Sequence, residues 1–169
     1  MEKTIQISGT ANRYMMKKVL RVPTEVKKRV DCEHWNFSYD DQLNLINNLD
    51  ESNTDNVTKT IIQQINHKIS GYKQQDKKKD VFIETEFIDA VDAIESMRNC
   101  NLRCHYCTIE MHVLYDTARE SKQWTVDRID NDKGHNRGNY HLACLECNLK
   151  RRRTNDDKFL LSKSTFKKG

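Results

Sequence analysis

The chain has 169 residues, is 36% apolar and 32% charged, and has a mean hydropathy of −0.89, so its hydrophobic core must be modest and a metal staple would help to hold it. It has no run of about 18 apolar residues, which excludes a membrane-spanning helix, and nothing apolar follows the charges of Met1-Glu2-Lys3-Thr4, so an intracellular rather than a secreted protein is expected. The net charge is +4, but residues 150–169 alone carry +6, so the positive field is concentrated where a polyanion would be attracted, unless the segment is only a solvated basic tail.

Residues 1–37 read as an irregular basic arm. Thr4-Ile5-Gln6-Ile7-Ser8 alternates like a short strand, and Pro23 interrupts a stretch that includes Lys17, Lys18, Arg21, Lys27, Lys28 and Arg29. Residues 38–99 read as a helical region. Ser38 is a suitable N-cap before Tyr39-Asp40-Asp41, and Leu43, Ile46 and Leu49 mark one face. A second helix is expected from the spacing of Val57, Ile61, Ile65, Ile69 and Tyr72. These two helices should pair as a hairpin, followed by a charged connector from Gln74 to Asp80. A third helix is expected from about Thr85 to Arg98, with Phe87, Val91, Ile94 and Met97 along one side.

Residues 100–169 hold the chemistry. Cys104-His105-Tyr106-Cys107 and Cys144-Leu145-Glu146-Cys147 are two C-x-x-C pairs separated by 36 residues. Together they offer four thiolates to one tetrahedral zinc. Disulfides or reduced core cysteines are the alternatives; the even geometry of both pairs argues against them, as does, for disulfides, the lack of an export signal. Cys100 reads as a bystander and Cys32 as structural, while His105 and His112 read as surface or packing residues. Between the pairs, Trp124 to Ile129 alternates and is rich in β-formers. Asn131 to Gly138 is a polar loop, Tyr140 to Ala143 a second short strand, and a helix can begin at Cys147. The fold class expected is therefore α+β.

The stretch from about Leu102 to Arg153 resembles the HNH endonuclease family, the ββα-metal fold with a four-cysteine zinc. The resemblance rests on C-x-x-C, then T-V-D-R-I-D-N, then K-G-H-x-x-G-N, then L-A-C-x-x-C-N-x-x-R. Its general style is that of such proteins from phages and large DNA viruses, which sets the expected location in a virus-infected cell. The resemblance implies a metal-dependent hydrolase that cuts phosphodiester bonds of DNA, duplex DNA being the expected substrate. It implies a catalytic Mg²⁺ or Mn²⁺ held by Asp127 and Asn148, beside the structural zinc. Asn139 matches the middle asparagine, which orients the loop. Lys150, Arg151, Arg152 and Arg153 fall where the helix lies against the DNA backbone.

One position departs from the pattern. The residue after Asp127 is usually a histidine serving as general base, and here it is Arg128, which stays protonated and can only clamp a phosphate. The base must then come from elsewhere. His135 is the first candidate, and His141 and Tyr140 are alternatives. The substitution also keeps open a non-catalytic nucleic-acid-binding zinc module, or a structural assembly protein, that retains the HNH fold.

Overall fold

The computed structural model describes residues 9, 28–29, 38–49 and 55–165, with side chains as far as residue 163. The expected strand at Thr4–Ser8, most of the basic arm and Cys32 lie outside the described residues. Within them the order is α1 (Tyr39–Asn47), α2 (Asn56–Lys78), α3 (Ala90–Asn99), β1 (Trp124–Arg128), β2 (Tyr140–Cys144), α4 (Leu145–Arg151) and α5 (Asp156–Thr165). This is a mixed helical structure around a two-stranded antiparallel sheet. No helix among the described residues is long and apolar enough to cross a membrane.

Helix α1 begins at a capping box. Ser38 accepts from the Asp41 backbone N–H, and the Asp41 carboxylate accepts from the Ser38 N–H, which satisfies two otherwise orphaned donors. Its inward face carries Ile46 and, unexpectedly, Gln42. The buried Gln42 Oε1 accepts from the backbone N–H groups of Val113 and Leu114, each at 2.8 Å. That amide ties α1 to the irregular segment between the first cysteine pair and β1.

Helix α2 runs well past the end expected from its apolar stripe. Ile61, Ile65, Ile69 and Tyr72 form the buried face, and the helix then continues through the charged residues to Lys78. The continuation has a polar cause. Asp76 points inward, is fully buried and meets His135, while Lys77 and Lys78 occupy the last turn, where cations are favourable. Tyr72 reaches the sheet, its hydroxyl oxygen accepting from the Val126 N–H at 3.0 Å.

Helix α3 starts five residues later than its periodicity suggests. Residues 86–88 instead pair with the loop after β1. Arg137 N–H donates to Glu86 O, Ile88 N–H donates to His135 O, and Phe87 forms an isolated bridge with Asn136. Asp89 then caps the helix in a second capping box with Asp92. The expected hairpin of α1 and α2 is also revised, because both pack chiefly on α3. Arg98 of α3 closes the end of α1 by donating to Ile46 O and Leu49 O at 2.9 and 2.8 Å.

The hairpin pairs Trp124 with Cys144, Val126 with Leu142, Asp127 with His141 and Arg128 with Tyr140. Helix α4 leaves β2 directly, with Cys144 as its N-cap. A further helix, α5, follows where only a basic tail was expected. Asn155 opens it, accepting from Lys158 N–H through its side chain and from Phe159 N–H through its carbonyl. Phe159 packs edge-on against Tyr106 at 4.9 Å. A single hydrophobic cluster runs from Ile46 through Met97, Trp124 and Leu142 to Phe159, so the helical region and the cysteine-bearing region share one core.

Candidate metal centre and its surroundings

Cys104, Cys107, Cys144 and Cys147 converge, with all four sulfurs within 4.8 Å of one another. The Cys107 and Cys144 sulfurs are 3.8 Å apart, which is about the edge of a tetrahedron with metal–sulfur bonds of ~2.3 Å. Cys104, Cys144 and Cys147 are buried. Their local backbone is tight: Thr108 N–H donates to Cys104 O, Cys104 N–H to Ile109 O, and Cys147 N–H to the Cys144 sulfur. The thiols are strongly unequal. Hydrogen bonds from Cys144 and Cys147 hold Cys104 far down as a thiolate, whereas the Cys104 sulfur pushes Cys144 up to about 12. A divalent cation would replace the shared protons and bind all four sulfurs as thiolates, and the convergence of the four cysteines is compatible with zinc. Cys100 stands outside it, directed at Met97 O.

The strand and loop residues expected to be catalytic are placed differently. Asp127 is buried at 5% exposure and both carboxylate oxygens are engaged. Arg151 Nη2 donates to Oδ1 at 3.1 Å and Arg151 Nε to Oδ2 at 2.6 Å, and the Tyr106 hydroxyl lies 2.8 Å from Oδ2. A hard cation needs open oxygens, and here a buried guanidinium already occupies that role. Asn148 lies on α4 with its amide donating to Thr125 Oγ1 and Val126 O at 3.0 and 3.4 Å. The Asp127–Asn148 pair therefore does not fit the catalytic Mg²⁺ or Mn²⁺ that the resemblance implies.

Arg128 is also inside, donating to Lys133 O at 3.0 Å and lying 4.0 Å from Asp76. It is not presented as a phosphate clamp. His135 is 4% exposed, stacks on Tyr72 at 4.6 Å, and is held by Asp76 at 2.7 Å through Nδ1 and at 2.6 Å through its backbone N–H. Burial keeps its imidazole below the ordinary range, against the opposing pull of Asp76. It is a buried link between α2 and the loop, out of reach of an attacking water. Asn139 clamps that loop: Oδ1 accepts from Asp130 N–H, and Nδ2 donates to Asp130 O and Gly134 O. Tyr140 is half-buried, with its hydroxyl 2.7 Å from Ser96 Oγ. In the basic run, Lys150, Arg152 and Arg153 are exposed. Arg151 is not, and the expectation that it contacts DNA is corrected by its complete burial against Asp127.

His141 lines a surface cleft, together with Tyr140. It stacks on His105, ring centroids 3.6 Å apart and planes 10° from parallel. Its Nε2 is 3.3 Å from Asp156 Oδ2, and His105 Nε2 is 4.0 Å from the same oxygen. Burial and the neighbouring His105 lower the basicity of His141. From the sequence, His105 reads as a surface or packing residue and Asp156 as one of two acids in a basic tail. The signal for Asp156 was the Asn155-Asp156-Asp157 run, a cap followed by first-turn acids. No family model, curated protein or solved structure matches the chain.

Proposed function

We propose that this protein is a metal-dependent nuclease of the HNH type that hydrolyses phosphodiester bonds of DNA. The observation that carries the reading is the unit formed by β1, β2 and α4, the hairpin lying between the two cysteine pairs and α4 bearing Cys147 of the second, with Asn148 of α4 laid against β1. This is the strand, loop, strand and helix order in which the T-V-D-R-I-D-N and C-N-x-x-R motifs occur in that family. Exposed Lys150, Arg152 and Arg153 at the end of α4 supply backbone-phosphate contacts, which position a duplex without reading its sequence. The chemistry is not routed through Asp127. His141 at the cleft is the residue on which we place proton transfer or metal binding.

A second reading, a non-catalytic nucleic-acid-binding zinc module, is favoured by one specific observation: the Asp127–Arg151 pair closes the position where the family's ion would sit. Supercoiled plasmid incubated with Mn²⁺, Mg²⁺ or Zn²⁺ separates the two. Nicking by the wild type that is lost in His141→Ala, with DNA binding retained, supports the nuclease. Binding with no cleavage under any of these ions supports the binding module.

A further inference from the structure

We infer that His105, His141 and Asp156 form a second metal site, distinct from the cysteine cluster and taking a borderline transition-metal ion such as Zn²⁺. Their ligand atoms lie within 4.8 Å of one another. They come from three separate elements: the first cysteine knuckle, β2 and the first turn of α5. Each is independently positioned. His105 N–H donates to Leu142 O at 3.0 Å, which sets the knuckle beside β2. His141 sits in register opposite Asp127. Asp156 Oδ1 is 2.6 Å from the Tyr106 hydroxyl, leaving Oδ2 turned toward the two imidazoles.

The cluster is not satisfied as a hydrogen-bond network. His105 Nε2 is buried and has no hydrogen-bond partner, and leaving a buried polar atom so is unfavourable. Both imidazole nitrogens converge on one carboxylate oxygen, which can align well with one N–H but not with two stacked parallel rings. A cation at that focus uses the lone pairs of all three groups, the rings splaying to bring theirs together. Two imidazoles and a carboxylate are the donor set of Zn²⁺ rather than of Mg²⁺, which prefers oxygen.

Three protein ligands leave a zinc ion one open position. The two histidines line a cleft of about 420 Å³ together with Ser96, Asn99, Cys100 and Tyr140, so a ligand entering the cleft would meet the imidazoles that hold the ion. Tyr106 is the positioning residue that turns Asp156, as ligating carboxylates are commonly held by a neighbouring donor. The existence of this site is independent of the nuclease reading, but its use in hydrolysis rests on that reading.

The test is zinc stoichiometry of the full chain after equilibrium dialysis against micromolar Zn²⁺, with folding of every variant checked by circular dichroism. The wild type and the exposed-histidine control His67→Ala are expected to hold two zinc ions per chain. His141→Ala and Asp156→Asn are expected to hold one. Tyr106→Phe is expected to weaken the second zinc about 10–100-fold and leave the first in place. Co²⁺ added to wild type carrying one zinc per chain, at the cysteine cluster, should give visible bands without thiolate charge transfer, and those bands should be absent in His141→Ala. One zinc per chain in the wild type, or a second zinc that survives both ligand variants, overturns the site. Two zinc ions without DNA cleavage leave the site standing and overturn the nuclease, whereas cleavage with one zinc does the reverse.

Discussion

Asp127 and Arg151 form a buried two-pronged ion pair that joins the end of β1 to the end of α4. The guanidinium donates to both carboxylate oxygens and, beyond them, to Arg128 O and Thr154 O at the start of the following turn. The pair therefore fixes the angle between hairpin and helix as well as neutralising two interior charges. Removing one partner strands the other in a low-dielectric site. Arg151→Met should cost about 3–5 kcal/mol in urea unfolding. Asp127→Leu combined with Arg151→Met should recover much of that loss, because no charge is then left alone. Full additivity of the two single losses would show that the pair is not coupled.

The cysteine cluster should govern whether the hairpin folds at all. Metal removal by a strong chelator, or Cys144→Ser, is expected to abolish the cooperative melting transition, since structural zinc commonly supplies the free energy that holds such small units together. Thermal unfolding followed by circular dichroism, with metal content measured in parallel, checks this. A chelated chain that melts unchanged would contradict it.

Acid should destabilise the protein before any carboxylate titrates. Burial holds His135 below its ordinary value of 6.5, so between that value and its folded pKa the unfolded chain binds more protons than the native one. Stability then rises with pH through this window and is lost as pH falls below about 6.5. The drop in urea midpoint from pH 7.5 to 5.5 should be smaller in His135→Gln than in the wild type, and an equal drop would remove His135 as its source.

Gly134 marks a close approach of three segments. A Cβ added there would meet Val81 O at 2.6 Å, Asn136 Oδ1 at 2.9 Å and Asp76 Oδ2 at 3.0 Å. The carbonyl belongs to backbone and cannot swing aside, so Gly134→Ala should destabilise by about 1–3 kcal/mol. Gly138→Ala has open space but a left-handed φ of +75°, and should cost about 1 kcal/mol. Denaturant titration of both variants ranks them.

The basic end of α4 should bind DNA through three residues rather than four. Replacing Lys150, Arg152 and Arg153 by glutamine should lower affinity across unrelated sequences and flatten the dependence of log affinity on log salt by roughly 0.9 per lost phosphate contact. Arg153 is paired with Asp132 and Lys150 with Glu146 in the free protein, but exposed pairs are weak and exchange partners readily. Unchanged affinity in the triple variant would point to a structural role in a larger assembly.

The cysteine cluster, the hairpin and the capped start of α1 were legible in the sequence because each is written in local spacing: two C-x-x-C pairs, a period of two and a Ser38 cap followed by first-turn acids. The inward charges were not. Asp76, Asp127, Arg128, His135 and Arg151 are residue types that ordinarily face water, and only the fold shows which of them find partners. The same limit applies to His105, His141 and Asp156, whose proximity depends on three elements meeting. Local pattern also overstated α3, since the pairing of Phe87 with the 136 loop is a long-range event that outweighs helical spacing.

The 36 residues between Cys107 and Cys144 impose an order on assembly. The first knuckle can pre-form on its own turn and the second on its helix, but neither can share a metal until β1, the clamped loop and β2 have closed. An ion captured early by one pair would hold only two sulfurs and exchange quickly; captured late, it locks a hairpin already in register. A zinc ion held by the four cysteines would thus act as a kinetic latch on β-pairing, slowing the reopening of the hairpin more than it speeds its closure.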